Sequence, residues 1–363
     1  MITEILDQRI GSEVKEKDFI AAAMSWHFNP NTGSPYWVER SKILGFDPQK
    51  EIKTFADLQK FPNVVDEMRK VPVQNLIPVG YGPKPPVFGV FDSGGTTGIP
   101  KRVVVLEDWV NLQLSWQDEK VAAHGILPGK NICYVGPSGP HMFGAYTAER
   151  ARRTRGLNFP IDLDPRWVKR SLEAGHKEEV ERYVRHLVEQ ASTILETQDI
   201  GLLITTPPLL ERMAREDKLV DLINEKVTGI QWGGAHMDAD TRELYRNKVF
   251  PEVSLVGNYG SAMMLGGVIE RPEKRNDDLC VFDPLSPFVT FKVVHPDTHE
   301  EVPYGERGQL LMHHISRNMF LPNNLERDMG TRVEALSGHL GDAVADVYPV
   351  QTFEGKTVIE GVY

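Results

Sequence analysis

Three spacings of apolar residues succeed one another along this chain. Residues 1–85 carry helix-like pieces such as SPYWVERSKILGF and TFADLQKFPNV, punctuated by proline and glycine turns. From residue 86 the pattern alternates. PPVFGVF reads as a strand, and RVVVLEDWVNLQLSWQDEKVAAHG begins as a second strand before turning helical. Strand-like NICYVGP, LNFPIDLD, IGLLITT, VTGIQWGG and VSLVGNYG then alternate with helical AYTAERARRTRG, one long amphipathic helix over residues 166–198, the helix PPLLERMAREDKLVDLINEK and a further helix. Strands alternating with helices of this length predict a mainly parallel sheet covered on both faces. Beyond residue 279, FVTFKVVHPDTHEEVPYGERGQLLMHHI has β-branched runs and Pro/Gly turns, which predicts an antiparallel barrel-like or sandwich piece. The expected class is α/β in three parts: a helical segment over 1–85, an α/β core over 86–278 and a β-rich subdomain over 279–363.

Charge narrows the partners. The 363 residues sum to −10 at pH 7 with 25% charged side chains, so nucleic acid and anionic membranes are not expected as main partners. A polyanionic ligand must then find a local positive site. Cys133 and Cys280 stand alone without a CxxC or zinc spacing and read as reduced, buried thiols. The N-terminus lacks the apolar core of an export signal and no run of 18 apolar residues occurs, so the expected location is cytoplasmic.

The candidate chemistry sits in turns. FDSGGTTGIPKR, residues 91–102, joins the first two strands and offers closely spaced backbone N–H groups and hydroxyls at Ser93, Gly94, Gly95, Thr96, Thr97 and Gly98, with Lys101 and Arg102 at its far end. That composition suits an anion. A P-loop order and a dinucleotide fingerprint are both absent, and a plain hairpin loop is the bland alternative. In open α/β sheets ligands collect at the C-terminal ends of strands, so the turns after the strands come next. SGPHMFG offers Gly139, His141, Phe143 and Gly144; GGAHMD, residues 233–238, gives a small-residue surface for a planar ring; NYGSAMMLGG adds Asn258 and Tyr259; SGHLGDAVAD carries Asp342 and Asp346. Taken singly, each also reads as a packed turn.

Their order resembles that of the adenylate-forming superfamily of acyl-CoA synthetases, aryl-acid ligases, luciferases and nonribosomal adenylation domains. DSGGTTGIPK resembles its phosphate-binding motif, GPHMFG its aromatic and histidine turn, GGA at 233–235 its adenine wall, YGSAM its Y-G-x-T-E and GHLGDAVAD its T-G-D segment. The N-terminal SPYWVERSKILGFDPQKEIKTFADLQKFPNV, with GPHMFGAY and GLNFPIDLD, points to the phenylacetate-CoA ligase-like branch. The resemblance implies activation of a carboxylic acid as its acyl-adenylate with ATP and Mg²⁺. By it, residues 93–98 hold the triphosphate and Lys101, Thr96 and His141 assist the chemistry. Gly233, Gly234, Ala235, Asn258, Tyr259, Gly260 and Ser261 bind the nucleotide, and Asp342 takes the ribose hydroxyls. Phe143, Gly144, His141, His236, Tyr259 and Met263 line the substrate. Expected partners are a small aromatic carboxylate and CoA or another acyl acceptor, with a homodimer left open.

Two departures from the family pattern matter. Ala262 and Met263 stand where the family has threonine and the carboxylate that helps hold Mg²⁺, leaving another carboxylate such as Glu270 as a candidate. The sequence also ends at Tyr363, which implies that the family's mobile C-terminal domain is missing and that the adenylate faces solvent. The alternatives are a non-catalytic nucleotide- or acyl-binding relative and a fatty acyl-protein synthetase-like enzyme.

Overall fold

Prolines and short polar caps set the first helices. After α1 (Glu16–His27), Ser34 accepts from Trp37 N to start α2 (Pro35–Ser41), and Asp47 accepts from Gln49 N to start α3 (Pro48–Glu51), each with proline at its first position. The computed structural model describes residues 2–93, 99–272 and 279–349, and the backbone of 352–353 and 356–357. The N-terminal segment is held down by aromatic packing. Phe28, Trp37 and Phe61 ring Phe320 at 5.0 to 5.3 Å, Trp37 Nε1 donates to Phe320 O, and Asn323 Nδ2 donates to the carbonyls of Leu58 and Phe61.

The glycine-rich loop is framed by an antiparallel hairpin, β1 (Val87–Asp92) and β2 (Arg102–Leu106), whose exit continues as α4 (Glu107–Ala123). The next strands, β3 (Ile132–Gly136), β4 (Asn158–Asp162), β5 (Leu202–Thr205), β6 (Gly229–Gly233) and β7 (Ser254–Ser261), pair in parallel in the order β4-β3-β5-β6-β7. β8 (Gly266–Ile269) closes this sheet antiparallel to β7. Unbroken buried runs such as ICYVG and GIQWG are what a sheet covered on both faces requires. A second, antiparallel sheet follows in the order β10-β11-β12-β13-β9, built from β9 (Val281–Phe282), β10 (Val289–Val294), β11 (Arg307–Ile315), β12 (Phe320–Val333) and β13 (Ala343–Pro349). Both sheet types match the pattern read from the sequence.

The helices differ in detail. α5 (Met142–Thr154) starts earlier than its polar face suggests. The single helix expected over 166–198 is two, α6 (Pro165–Glu173) and α7 (Lys177–Thr197), because Gly175 turns the backbone to φ +81° between them. The expected PPLLERMAREDKLVDLINEK helix likewise divides into α8 (Pro207–Met213) and α9 (Asp217–Lys226). The last helix is short, α10 (Ala239–Leu244), and runs on into a wider π turn over Tyr245–Val249.

Cys133 and Cys280 are both free and buried, as expected, and burial pushes the Cys133 thiol up to about 12. Three buried histidines set an acid limit on stability. Burial lowers His27 to about 4 and His313 and His314 to about 3, against an ordinary 6.5. A base whose folded pKa is depressed is neutral in the fold and takes up a proton on unfolding, so its stabilisation is present above pH 6.5 and lost as pH falls toward 3–4. Each group costs about 1.4 kcal/mol per pH unit in that window. Urea midpoints should therefore fall steadily from pH 6.5 to pH 4.5. A flat profile would show that these rings are not held neutral.

Candidate active site

A cavity of about 420 Å³ lies where the C-terminal ends of the parallel strands meet β12, β13 and the neck of the glycine-rich loop. Its position follows from topology, since parallel strands deliver their following turns to one edge. The loop residues Gly94, Gly95, Thr96, Thr97 and Gly98 lie outside the described residues. Ser93 N donates to Lys101 O at 2.8 Å and Lys101 N donates to Ser93 Oγ at 3.0 Å, so the two residues close the base of the loop. Asp92 anchors the same end through Arg102 Nε at 3.1 Å and Arg166 Nη2 at 2.9 Å. Lys101 lies 3.7 Å from Asp66, and burial holds its ammonium below the usual lysine range against the pull of Glu326 and Asp66.

Next to the neck, the turn after β3 presents His141 and Phe143 to the cavity. His141 stands at the start of α5 and makes no cap bond with its side chain; burial, with Arg166 nearby, lowers its pKa and favours the neutral imidazole. Gly144 does not line the cavity. A Cβ there would come within 3.0 Å of Pro137 O and Ser138 Cα, so this glycine lets α5 pack on its own entry turn.

The turn after β6 brings Gly234, Ala235 and His236 to the cavity, with His236 beside Val347 and Tyr348 of β13. Gly234 needs its hydrogen, with φ +79°. Gly233 lies behind, where a Cβ would meet Asn258 O at 2.7 Å, and is a packing residue rather than a wall. His236, expected among the substrate groups, lines the cavity, with its Nδ1 3.1 Å from Val347 O and its ring 5.9 Å from Tyr348. From β7 and the turn after it, Asn258, Tyr259, Gly260, Ser261 and Met263 all face the cavity.

Two carboxylates in the cavity were not among the sequence candidates. Asp328 accepts from Tyr259 OH at 2.9 Å, and Glu326 accepts from Ser261 Oγ at 2.7 Å and Asn324 Nδ2 at 2.8 Å. Both come from β12, two residues apart, so strand alternation sends both to one face. The signal was present in LERDMGTRV, a carboxylate pair at i, i+2 inside a strand-like run. Asp342 is elsewhere. It is 4% exposed, accepts from Arg332 Nε at 2.9 Å and Tyr304 OH at 3.1 Å, and does not border the cavity. Burial pushes its carboxyl up despite those partners. Its neighbour Asp346 does reach the cavity and is paired with Arg242 Nη2 at 2.9 Å. Glu270 is likewise committed, holding Arg246 at 2.7 Å and accepting from Gly257 N at 2.8 Å.

The floor near α5 is polar. Arg150 and Gln231 are 5% and 3% exposed and bonded to each other at 3.0 Å, and Gln117, whose chain neighbour Asp118 accepts from Arg150 Nε at 2.7 Å, is also on the lining. Spacing along the chain carries no signal for these positions, since their burial depends on how α5, α4 and β6 pack.

No protein-family model and no curated protein sequence matches the chain. Solved structures do. A 2-hydroxyisobutyryl-CoA ligase in the postadenylation state with R3-HIB-AMP is 15% identical, with a TM-score of 0.62 over 96% of this chain and 70% of that one. An open conformation of the ligase in complex with 2-HIB-AMP and CoA gives 16% identity and 0.62 over 95% of this chain and 77% of that one. ATP-bound MatB from Rhodopseudomonas palustris covers less, 72% of this chain and 47% of that one, with 14% identity and a TM-score of 0.48. The chain thus spans about half to three quarters of the length of these proteins. Its parallel sheet flanked by helices, together with its curled antiparallel sheet, is the α/β core fold of the adenylate-forming acyl-CoA ligases.

Proposed function

We propose that the protein activates a small carboxylic acid with ATP, forming an acyl-adenylate and pyrophosphate, and passes the acyl group to CoA or another nucleophile. The observation that carries this reading is one cavity uniting the Ser93–Lys101 neck of a Gly/Thr loop with the Tyr259–Asp328 pair and the Gly234–Ala235 turn. A carboxylate oxygen attacks the α-phosphorus, the α–β phosphoanhydride bond breaks, and its electron pair leaves on pyrophosphate. Negative charge gathers on phosphate oxygens as this happens. Lys101 and the loop N–H groups of residues 93–98 are suited to stabilise it.

The nucleotide would lie against Gly234 and Ala235 with the Tyr259 ring on its other side. Asp328 then takes the ribose hydroxyls, the role that the sequence pattern gave to Asp342. Tyr259 aims that carboxylate, since burial keeps its hydroxyl protonated and donating. The acid would occupy the end near His141, Phe143 and Met263, and a small aromatic acid suits the rings of Phe143 and Tyr146 there.

The residues also fit Mg²⁺. This ion commonly uses one or two carboxylates and takes its other oxygens from phosphates and water. Met263 removes the motif carboxylate, but Glu326 accepts from the nearby Ser261, and its charge acts on Lys101 against the burial that lowers that pKa. Glu326 would hold the ion, which when bound offsets triphosphate charge. Glu326→Gln should raise the Mg²⁺ concentration for half-maximal ATP binding roughly tenfold, about 1.4 kcal/mol, with the melting temperature little changed. Calorimetric ATP titrations over a Mg²⁺ series check this, and an unaltered midpoint removes Glu326 from the assignment.

Acid-dependent exchange of labelled pyrophosphate into ATP tests the function. Exchange should appear with aryl acids ahead of medium and long fatty acids. Its absence with every acid, alongside intact ATP binding, would instead make the protein a nucleotide-binding relative.

A further inference from the structure

The inner end of the cavity carries open hydrogen-bonding positions that the activation chemistry does not use. Arg150 of α5 is a nearly fully buried guanidinium. Its Nε is bonded to Asp118 Oδ1 at 2.7 Å and its Nη1 to Gln231 Oε1 at 3.0 Å, while Nη2 has no partner among the described residues. An arginine can only donate, so Gln231 must turn its oxygen to Arg150 and its Nε2 is left as a second open donor. Gln117 is fixed by the same logic. Its Nε2 donates to the Gly267 carbonyl at 3.0 Å, which leaves Oε1 as an open acceptor. None of these three atoms is among the sealed polar atoms that lack a partner, and all three residues line the cavity, so each atom opens onto it.

We infer that this cluster reads a hydroxyl group on the acid, at the end remote from the carboxylate being activated. The inference rests on the acyl-adenylate reading for which carboxylate is activated, but its recognition chemistry stands on the cluster itself. Two open donors and one open acceptor are the complement of a hydroxyl, which accepts from Arg150 or Gln231 and donates to Gln117. A second carboxylate on the acid fits less well, because Asp118 already balances the Arg150 charge and the open Gln117 oxygen would face an anion. An amino substituent fits less well too, since an aniline nitrogen accepts weakly from a guanidinium. A hydrogen atom in that place leaves all three groups unpaired in a buried site, which is the arrangement that discriminates most strongly against an analogue lacking the group. The substrate class is therefore a small, preferably aromatic, acid carrying one ring hydroxyl.

The test compares the hydroxybenzoate isomers with benzoate, aminobenzoates and benzenedicarboxylates, by calorimetric binding to the intact protein and by pyrophosphate exchange with ATP. One hydroxybenzoate isomer should exceed benzoate by at least tenfold in one or both measurements, with amino and dicarboxylate analogues below it. Arg150→Met, checked for folding by its melting curve, should bring the hydroxybenzoate-to-benzoate ratio to within about threefold. A wild-type ratio near one for every isomer overturns the inference and needs no variant. A preference that survives in folded Arg150→Met also overturns it. Selective binding of a hydroxy acid without any exchange upholds the recognition cluster and counts against the adenylating reading instead.

Discussion

Replacing Asp328 by alanine is expected to weaken ATP binding by about 1.5 to 3 kcal/mol, roughly ten- to 150-fold, because two ribose hydroxyls donating to one carboxylate form charge-assisted hydrogen bonds. Asp328→Asn should fall in between, keeping an acceptor and losing the charge. The informative contrast is Asp342→Ala. That carboxylate holds Arg332 and Tyr304 away from the cavity, so its loss should leave ATP affinity unchanged while lowering stability by about 1 to 3 kcal/mol. Calorimetry with ATP and thermal melts on the three variants separate the roles. Should Asp342→Ala lose ATP binding while Asp328→Ala retains it, the assignment is reversed and the reading of β12 fails.

The second large effect concerns Lys101. Lys101→Ala should lower the rate of acid-dependent pyrophosphate formation by roughly 10² to 10³, the range for removing one preorganised donor from developing oxyanion charge. Folding should hardly notice, because the ion pair to Asp66 spans 3.7 Å and the Asp66 side chain is 69% exposed, so it is worth less than about 1 kcal/mol. Lys101→Arg keeps the charge but not the compact ammonium, and should recover only part of the rate. Turnover at the parental level in the alanine variant would remove Lys101 from the chemistry.

The sequence made much of this site legible, for identifiable reasons. Turns after parallel strands must meet at one edge, so His141, Phe143, Gly234, Ala235 and Tyr259 converge on one cavity once the β/α alternation is read. What was hidden depended on side chains of the second sheet. Asp328 and Glu326 sit in a long strand with irregular register, and nothing in one-dimensional spacing says that β12 passes over Tyr259 and Ser261. Asp342, following a glycine, matched a motif more closely but is bridged to Phe291, bonded to Arg332 and Tyr304, and does not line the cavity. Arg150 and Gln231 illustrate a different limit. On a helix and a strand whose spacing fixes only their class, a buried polar pair is invisible until the elements pack and leave its outer valences facing open space. The helix breaks near Gly175 and after Met213 were written in the sequence as a glycine and a polar run, yet a continuous amphipathic pattern outweighed them.

One experiment meets the central claim without intermediates being isolated. The acid that supports pyrophosphate exchange is prepared with ¹⁸O in its carboxylate and incubated with ATP, Mg²⁺, protein and an excess of acyl acceptor, and the nucleotide product is weighed by mass spectrometry. Attack of the carboxylate on the α-phosphorus leaves one carboxylate oxygen on phosphorus when the acyl group departs, so the product should be AMP carrying a single ¹⁸O. Unlabelled AMP, or ADP as the nucleotide product, would contradict adenylation of the acid.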